Sequence, residues 1–141
     1  MPTAKANGTW EGTLKGGRGT MKGAHTPEVP FSLGTRFEGQ NGSNPEEMIG
    51  AALSGCSSMA LSLGLEQAGM TPQNIRTSAV VHLEKDGGGF HIPRIELTTE
   101  VRATGGDAAK FKAVAEETKK QCPVSKVLKG AEITLDAKLL T

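Results

Sequence analysis

From Met48 to Leu65 the chain runs for 18 residues without a charged side chain, and this stretch narrows the folds open to it. As a helix it would approach the length of a membrane span. Seven of the 18 are Gly or Ser (Gly50, Ser54, Gly55, Ser57, Ser58, Ser62 and Gly64), and the flanks carry Glu46, Glu47 and Glu66 with no basic anchor. A helix buried in protein fits better than a membrane span, with the small residues letting another helix come close. Such a helix is apolar on all sides, more than one small sheet can cover, so a second subunit is expected to help bury it.

Local signals place the other elements around that helix. Asn44-Pro45-Glu46-Glu47 supplies an N-cap, a proline at the first helical position and two acids in the first turn, and the helix should run to about Ala68-Gly69. Along it Ile49, Leu53, Cys56, Ala60 and Leu63 recur at spacings of three and four, which puts Cys56 on the inward stripe. Residues 7–40, rich in Gly and Thr, read as strands and hairpins with a turn at Gly16-Gly17. After a break at Thr71-Pro72-Gln73-Asn74, period-two alternation from Ile75 to Leu83 and from Ile95 to Val101 gives two strands joined at Asp86-Gly87-Gly88-Gly89. Phe90 and Ile92 fall out of phase with Ile95, which predicts a bulge or edge position at Pro93.

From Asp107 the period returns to that of a helix with Phe111, Val114, Ala115, Thr118 and Cys122 on one face. A short helix from Pro123 to Lys129, stopped by Gly130, leads to a last strand at Ile133–Ala137. The order of elements predicts an α+β fold with helices packed on a sheet. No repeat or low-complexity linker divides residues 1–141, so a single domain is expected.

Composition excludes several functions. With 16 Lys and Arg against 15 Asp and Glu, the net charge is +1, and the basic residues are scattered. One Trp, four Phe and no Tyr leave few platforms for stacking bases, so nucleic acid is not an expected partner. The first ten residues hold no apolar signal segment, which makes a reducing cytoplasm the expected compartment. There a pair of cysteines points to transient chemistry rather than to a permanent staple. No Walker loop or dinucleotide fingerprint is present, and Gly87-Gly88-Gly89 follows an acid and precedes a strand, so no cofactor is expected.

The two cysteines, Cys56 and Cys122, carry the chemistry. Cys56 lies on a helix face dotted with Ser54, Ser57 and Ser58, and Cys122 directly precedes Pro123 at a helix start, where orphan amides favour an anion. A thiol peroxidase needs a nucleophilic thiolate, a cation to hold its charge, a carboxylate to aim the cation and a second thiol. Cys56, Arg36, Glu46 and Cys122 are the candidates. At about 100° per residue Glu46 lies roughly 80° around the helix from Cys56 and Glu47 roughly 180°, which favours Glu46. Taken singly each has an ordinary explanation. Cys56 is a small buried hydrophobe, Cys122 an N-cap, Arg36 a solvated strand residue, and Glu46 a helix-dipole partner.

The joint pattern is more specific. Gly34-Thr35-Arg36-Phe37-Glu38-Gly39, Asn44-Pro45-Glu46-Glu47-Met48-Ile49-Gly50-Ala51-Ala52 running to Cys56-Ser57-Ser58-Met59-Ala60-Leu61-Ser62-Leu63, Cys122-Pro123-Val124-Ser125-Lys126-Val127-Leu128 and the tail Ile133–Leu139 together closely resemble the OsmC family over nearly the whole chain. The Arg-Phe-Glu and Cys-Pro-Val-Ser-Lys motifs look more like OsmC proper than its organic hydroperoxide resistance cousins. The chain departs from the family at Leu53, where a His is frequent, and at Ser57, where an aromatic residue is frequent.

The resemblance implies an OsmC-like fold of antiparallel sheets around a long buried central helix, in an intertwined homodimer with two active sites at the subunit interface. It implies a cytoplasmic peroxidase that reduces organic hydroperoxides and hydrogen peroxide. Cys56 would be the peroxidatic and Cys122 the resolving cysteine, with Arg36 as activating cation and Glu46 as its aiming carboxylate. The disulfide would be reopened by an external dithiol such as a lipoyl group. Two other readings remain at this stage: a redox switch that uses the same two thiols without turnover, and a metal module built on His25, His82, His91 and the thiols. The second lacks zinc-type ligand spacing.

Overall fold

The computed structural model describes residues 1–140. It divides into two compact units, residues 1–48 and the remainder from Ile49.

The first unit is built on an antiparallel sheet of β1 (Ala6–Glu11), β2 (Arg18–Gly23) and β3 (Val29–Phe31) in that order. Gly19, the second residue of β2, stands opposite both Trp10 and Phe31, whose rings approach with centroids 5.6 Å apart. A Cβ at Gly19 would collide with both rings, so only glycine lets this aromatic pair close over the strand. Strands and hairpins were expected throughout residues 7–40, but Leu33–Phe37 is a short helix, α1, and Arg36 is helical rather than on a strand. Ser32 and Thr35 form a reciprocal capping box, the Ser32 hydroxyl accepting from the Thr35 N–H and the Thr35 hydroxyl from the Ser32 N–H.

Helix α2 (Pro45–Gln67) starts in the first unit and continues into the second. The expected N-cap is present: the Asn44 side-chain oxygen accepts from the Glu47 N–H at 2.8 Å. Just past its end, Gly69 takes a φ of +82° that suits glycine, as the Met70 N–H reaches back to the Leu65 carbonyl.

In the second unit, β4 (Thr71–Asp86) and β5 (Gly89–Thr104) form a long antiparallel hairpin closed by Gly87-Gly88. Ile92 and Pro93 of β5 together face Leu83 of β4, so the register slips where the sequence phase broke. Helices α3 (Ala108–Gln121) and α4 (Pro123–Val127) then return the chain to β6 (Glu132–Leu140), which pairs parallel to β5. The sheet order is β4-β5-β6. The architecture is α+β as expected, but this sheet is mixed rather than antiparallel, because a helical crossover brings the last strand in with the direction of β5.

Two clusters form the core of this unit. Leu61 and Leu65 of α2 meet Met70, Val101 of β5, and Phe111 and Ala115 of α3. Leu53 meets Ile95, Leu97 and Cys122, with Ile49, Cys56 and Ala60 packed alongside. Leu63, expected on the inward stripe, is 56% exposed, and Leu61 and Leu65 take its place. An apolar helix without a polar face gives a periodicity argument no contrast to fix its phase. Gly64 lets α3 approach, since a Cβ there would run into the Thr118 methyl.

By length and composition α2 could also cross a membrane, and 22% of its most apolar stretch is buried within the chain. Met59 and Leu63 are among the exposed side chains.

Candidate active site

The four residues singled out in the sequence form two pairs, one in each unit. In the first, Arg36 lies in the last turn of α1 and Glu46 in the first turn of α2. The guanidinium clasps the carboxylate as a fork: Nε donates to Oε1 at 2.8 Å and to Oε2 at 3.2 Å, and Nη2 donates to Oε1 at 2.6 Å. Glu46 is 6% exposed, so its charge is held largely away from water by this one partner. The Arg36 guanidinium also lies 5.1 Å from the centre of the Phe37 ring. Glu47, the alternative, is exposed and accepts from the Ser43 hydroxyl at 2.6 Å.

In the second unit, Cys56 and Cys122 are both free thiols with their sulfurs 2.7 Å apart. Cys56 comes from the middle of α2. Cys122 sits at the joint between α3 and α4, where its extended backbone (φ −60°, ψ 123°) and the following proline turn the chain. Local sequence thus fixes each cysteine, and tertiary packing of α2 against that joint brings together residues 66 positions apart.

The thiols differ in access and acidity. Cys122 is 0% exposed, whereas Cys56 is partly exposed and is the one a small solute can reach. Burial pushes the Cys56 thiol up, and the Cys122 thiol pushes it further, against a lowering contact from the Val124 backbone. Burial would raise Cys122 as well, but Cys56, the Ser125 backbone and hydroxyl, and the Val124 backbone together hold it below its ordinary value. Although Cys122 can donate its hydrogen to Cys56, the donors gathered around Cys122 decide where negative charge rests in the single chain. The two share a proton and titrate as a pair. The accessible thiol is therefore the less acidic one, and its use as a nucleophile calls for a cation.

Sequence reasoning missed two features nearby. Ser125, three residues beyond Cys122, has a buried hydroxyl that favours the Cys122 thiolate but completes no full hydrogen bond in the resting structure, and the Ser57 hydroxyl is also buried without a partner. Hydroxyls of Ser58, Thr77 and Thr99 form a chain from α2 across β4 to β5 at 2.8 and 3.1 Å. The i, i+3 spacing of Cys122 and Ser125 was visible in the sequence; the hydroxyl chain depends on strand register and was not. Of the histidines, His82 pairs with Glu96 at 2.6 Å and His91 with Asp86 at 3.3 Å.

Comparison with known proteins places the chain in a family. Residues 38–138 match the family model described as OsmC-like protein. The chain is 49% identical over 137 residues to Peroxiredoxin OsmC of Escherichia coli, covering 96% of this chain and 95% of that protein. Among solved structures, the OsmC-like protein of Mycoplasma pneumoniae superimposes with a TM-score of 0.74 at 16% identity, covering 97% and 98% of the two chains. The organic hydroperoxide resistance protein OhrB of Bacillus subtilis gives 0.70 at 23% identity, over 94% and 97%. The fold is shared at distances where side chains have largely changed, and the sequence match to one relative spans nearly the whole of both chains. The chain belongs to the OsmC family.

Proposed function

We propose that this protein is a cysteine-based peroxidase that reduces organic hydroperoxides, and hydrogen peroxide, to alcohol or water. The observation that carries the reading is the juxtaposed thiol pair, in a chain that is 49% identical to a protein named as a peroxiredoxin. Cys56, the accessible thiol, attacks the peroxide oxygen as a thiolate. The O–O bond breaks, an alcohol leaves, and Cys56 becomes a sulfenic acid. Cys122 then condenses with it, giving a disulfide and water.

Because the single chain holds the Cys56 thiol up, activation needs a positive charge. Arg36, aimed by its fork to Glu46, supplies it. The exposed apolar side chains of α2, Met59 and Leu63, support assembly as a homodimer that covers this helix and completes the site. An external dithiol, a lipoyl group being one such, reopens the disulfide. Such chemistry suits the cytoplasm.

One equivalent of hydroperoxide should yield a Cys56–Cys122 disulfide, identified by peptide mass spectrometry, in a protein whose mass by light scattering is that of two chains. Oxidation that leaves both thiols unlinked refutes the resolving role of Cys122. A single-chain mass refutes the dimer.

A further inference from the structure

We propose that the Ser125 hydroxyl is a positioning residue for the resolving half of the cycle, donating to the Cys122 sulfur as it becomes a thiolate and attacks the Cys56 sulfenic acid. This inference rests on the peroxidase reading above and assigns a task to a group that reading leaves unused.

Three observations on geometry lead to it. First, Cys122 is the N-cap of α4, and Pro123, Val124 and Ser125 are its first three residues, so Ser125 occupies the position whose side chain turns back toward the cap. The Lys126 N–H to Cys122 carbonyl bond at 3.0 Å closes that turn. Cys122-x-x-Ser125 thus has the spacing of a capping box with sulfur in place of the usual cap oxygen. Second, the Ser125 hydroxyl is buried and completes no full hydrogen bond in the resting structure, a condition native proteins rarely tolerate without a reason. Third, the Cys122 side chain makes no cap hydrogen bond. The resting neutral thiol is a poor acceptor, so neither the hydroxyl nor the cap amides form a full hydrogen bond to it. A negative charge on sulfur would draw the hydroxyl in, because hydrogen bonds to charged acceptors are stronger and shorter.

The surroundings leave few other groups for the task. Cys122 is fully buried among Leu53, Ile95 and Leu97, and the titratable group that faces it is Cys56. Water cannot solvate a thiolate there. In the step itself the Cys122 sulfur attacks the Cys56 sulfur, the S–S bond forms and the S–O bond breaks. The leaving hydroxide takes up the proton lost by Cys122 and departs as water. The Cys122 sulfur is oxidised and the Cys56 sulfur reduced, with no further reactant needed. A donor hydroxyl beside Cys122 lowers the cost of its deprotonation. Burial pushes the Cys122 thiol up, and Cys56 first, then the Ser125 backbone and hydroxyl, hold it down.

The test follows disulfide formation after one equivalent of hydroperoxide, between pH 5 and 9, by trapping the sulfenic acid with a dimedone-type reagent. It compares wild type with Ser125→Ala and with the isosteric pair Ser125→Thr and Ser125→Val. Thr keeps the hydroxyl and Val keeps only its shape, so the pair remains informative if Ser125→Ala does not fold. The expected result is a pH midpoint for disulfide formation about one unit higher in the Ala and Val variants. Below the midpoint their sulfenic acid should live about tenfold longer. Thr should restore the wild-type profile. If wild type forms a sulfenic acid and Val superimposes on Thr, this inference is overturned while the peroxidase reading stands. If wild type forms no sulfenic acid, both fall.

Discussion

Replacing Glu46 by Gln isolates what the fork to Arg36 contributes. Glu46 receives three donor contacts from one guanidinium and is almost fully buried, whereas the Arg36 side chain is 35% exposed. Gln keeps one acceptor oxygen, but its amide end turns donors toward donors, so at least one charge-assisted bond is lost. A hydrogen bond to a charged group contributes about 1.5–3 kcal/mol. Water reaching the partly exposed guanidinium recovers some of this, and removing a buried carboxylate relieves its desolvation. A net loss of about 1–2 kcal/mol follows, which for a chain of this size lowers Tm by roughly 4–8 °C. If the fork also aims the guanidinium, kcat/KM for a hydroperoxide should fall by about 10–100-fold, since small misplacements of a catalytic group are costly. Calorimetry and a coupled peroxidase assay read the two effects separately. The control is Glu47→Gln, whose exposed side chain bonds only Ser43 among the contacts described, and which should change stability by about 0.5 kcal/mol or less. Wild-type kcat/KM in Glu46→Gln would refute the aiming role. Equal losses in both variants would refute the distinction the geometry draws between the two acids.

Cys122→Ser should retain one fast oxidation by hydroperoxide and turn over poorly with dithiol, and full turnover in stopped-flow and steady-state assays would contradict a resolving role. Gly64→Ala should destabilise the fold by about 1–2 kcal/mol, because the added methyl meets Thr118. Helix propensity alone would favour Ala by about 1 kcal/mol, so a higher urea midpoint would show that α3 yields there. The hydrogen bond from His82 holds the Glu96 carboxyl below its ordinary value of 4.5, slight desolvation opposing and the charges of His82 and Arg94 adding. A lowered folded-state pKa means that the stabilisation is present above the ordinary value and is lost as pH falls through the lowered one. His82→Gln should therefore flatten the acid side of the stability profile below about pH 4.5, and an unchanged profile from urea titrations would contradict the pairing.

What the sequence revealed follows from how local each signal is. The start of α2 was legible because Asn44 and Pro45 act on their own turn, and the β5 core positions Ile95, Leu97, Thr99 and Val101 were legible because a strand buried on one face alternates. Wheel geometry chose Glu46 over Glu47; in the structure Glu46 meets Arg36 and Glu47 meets Ser43. Helix α1 escaped because its capping box uses Thr35 where Glu or Gln is the familiar signal. The inward phase of α2 beyond Ala60 could not be read from a helix apolar on every side, and Leu63 was misplaced for that reason. The parallel pairing of β6 depends on where a crossover lands, which no local residue encodes. Composition suggested that the two cysteines act transiently; their contact at 2.7 Å is a property of packing between α2 and the α3–α4 joint.

The most direct test of the central claim is consumption of cumene hydroperoxide with excess dithiothreitol, wild type against Cys56→Ser. A cysteine peroxidase gives many turnovers in wild type and none in the variant. Consumption that stops at one equivalent in wild type, or that continues undiminished in the variant, would contradict the account.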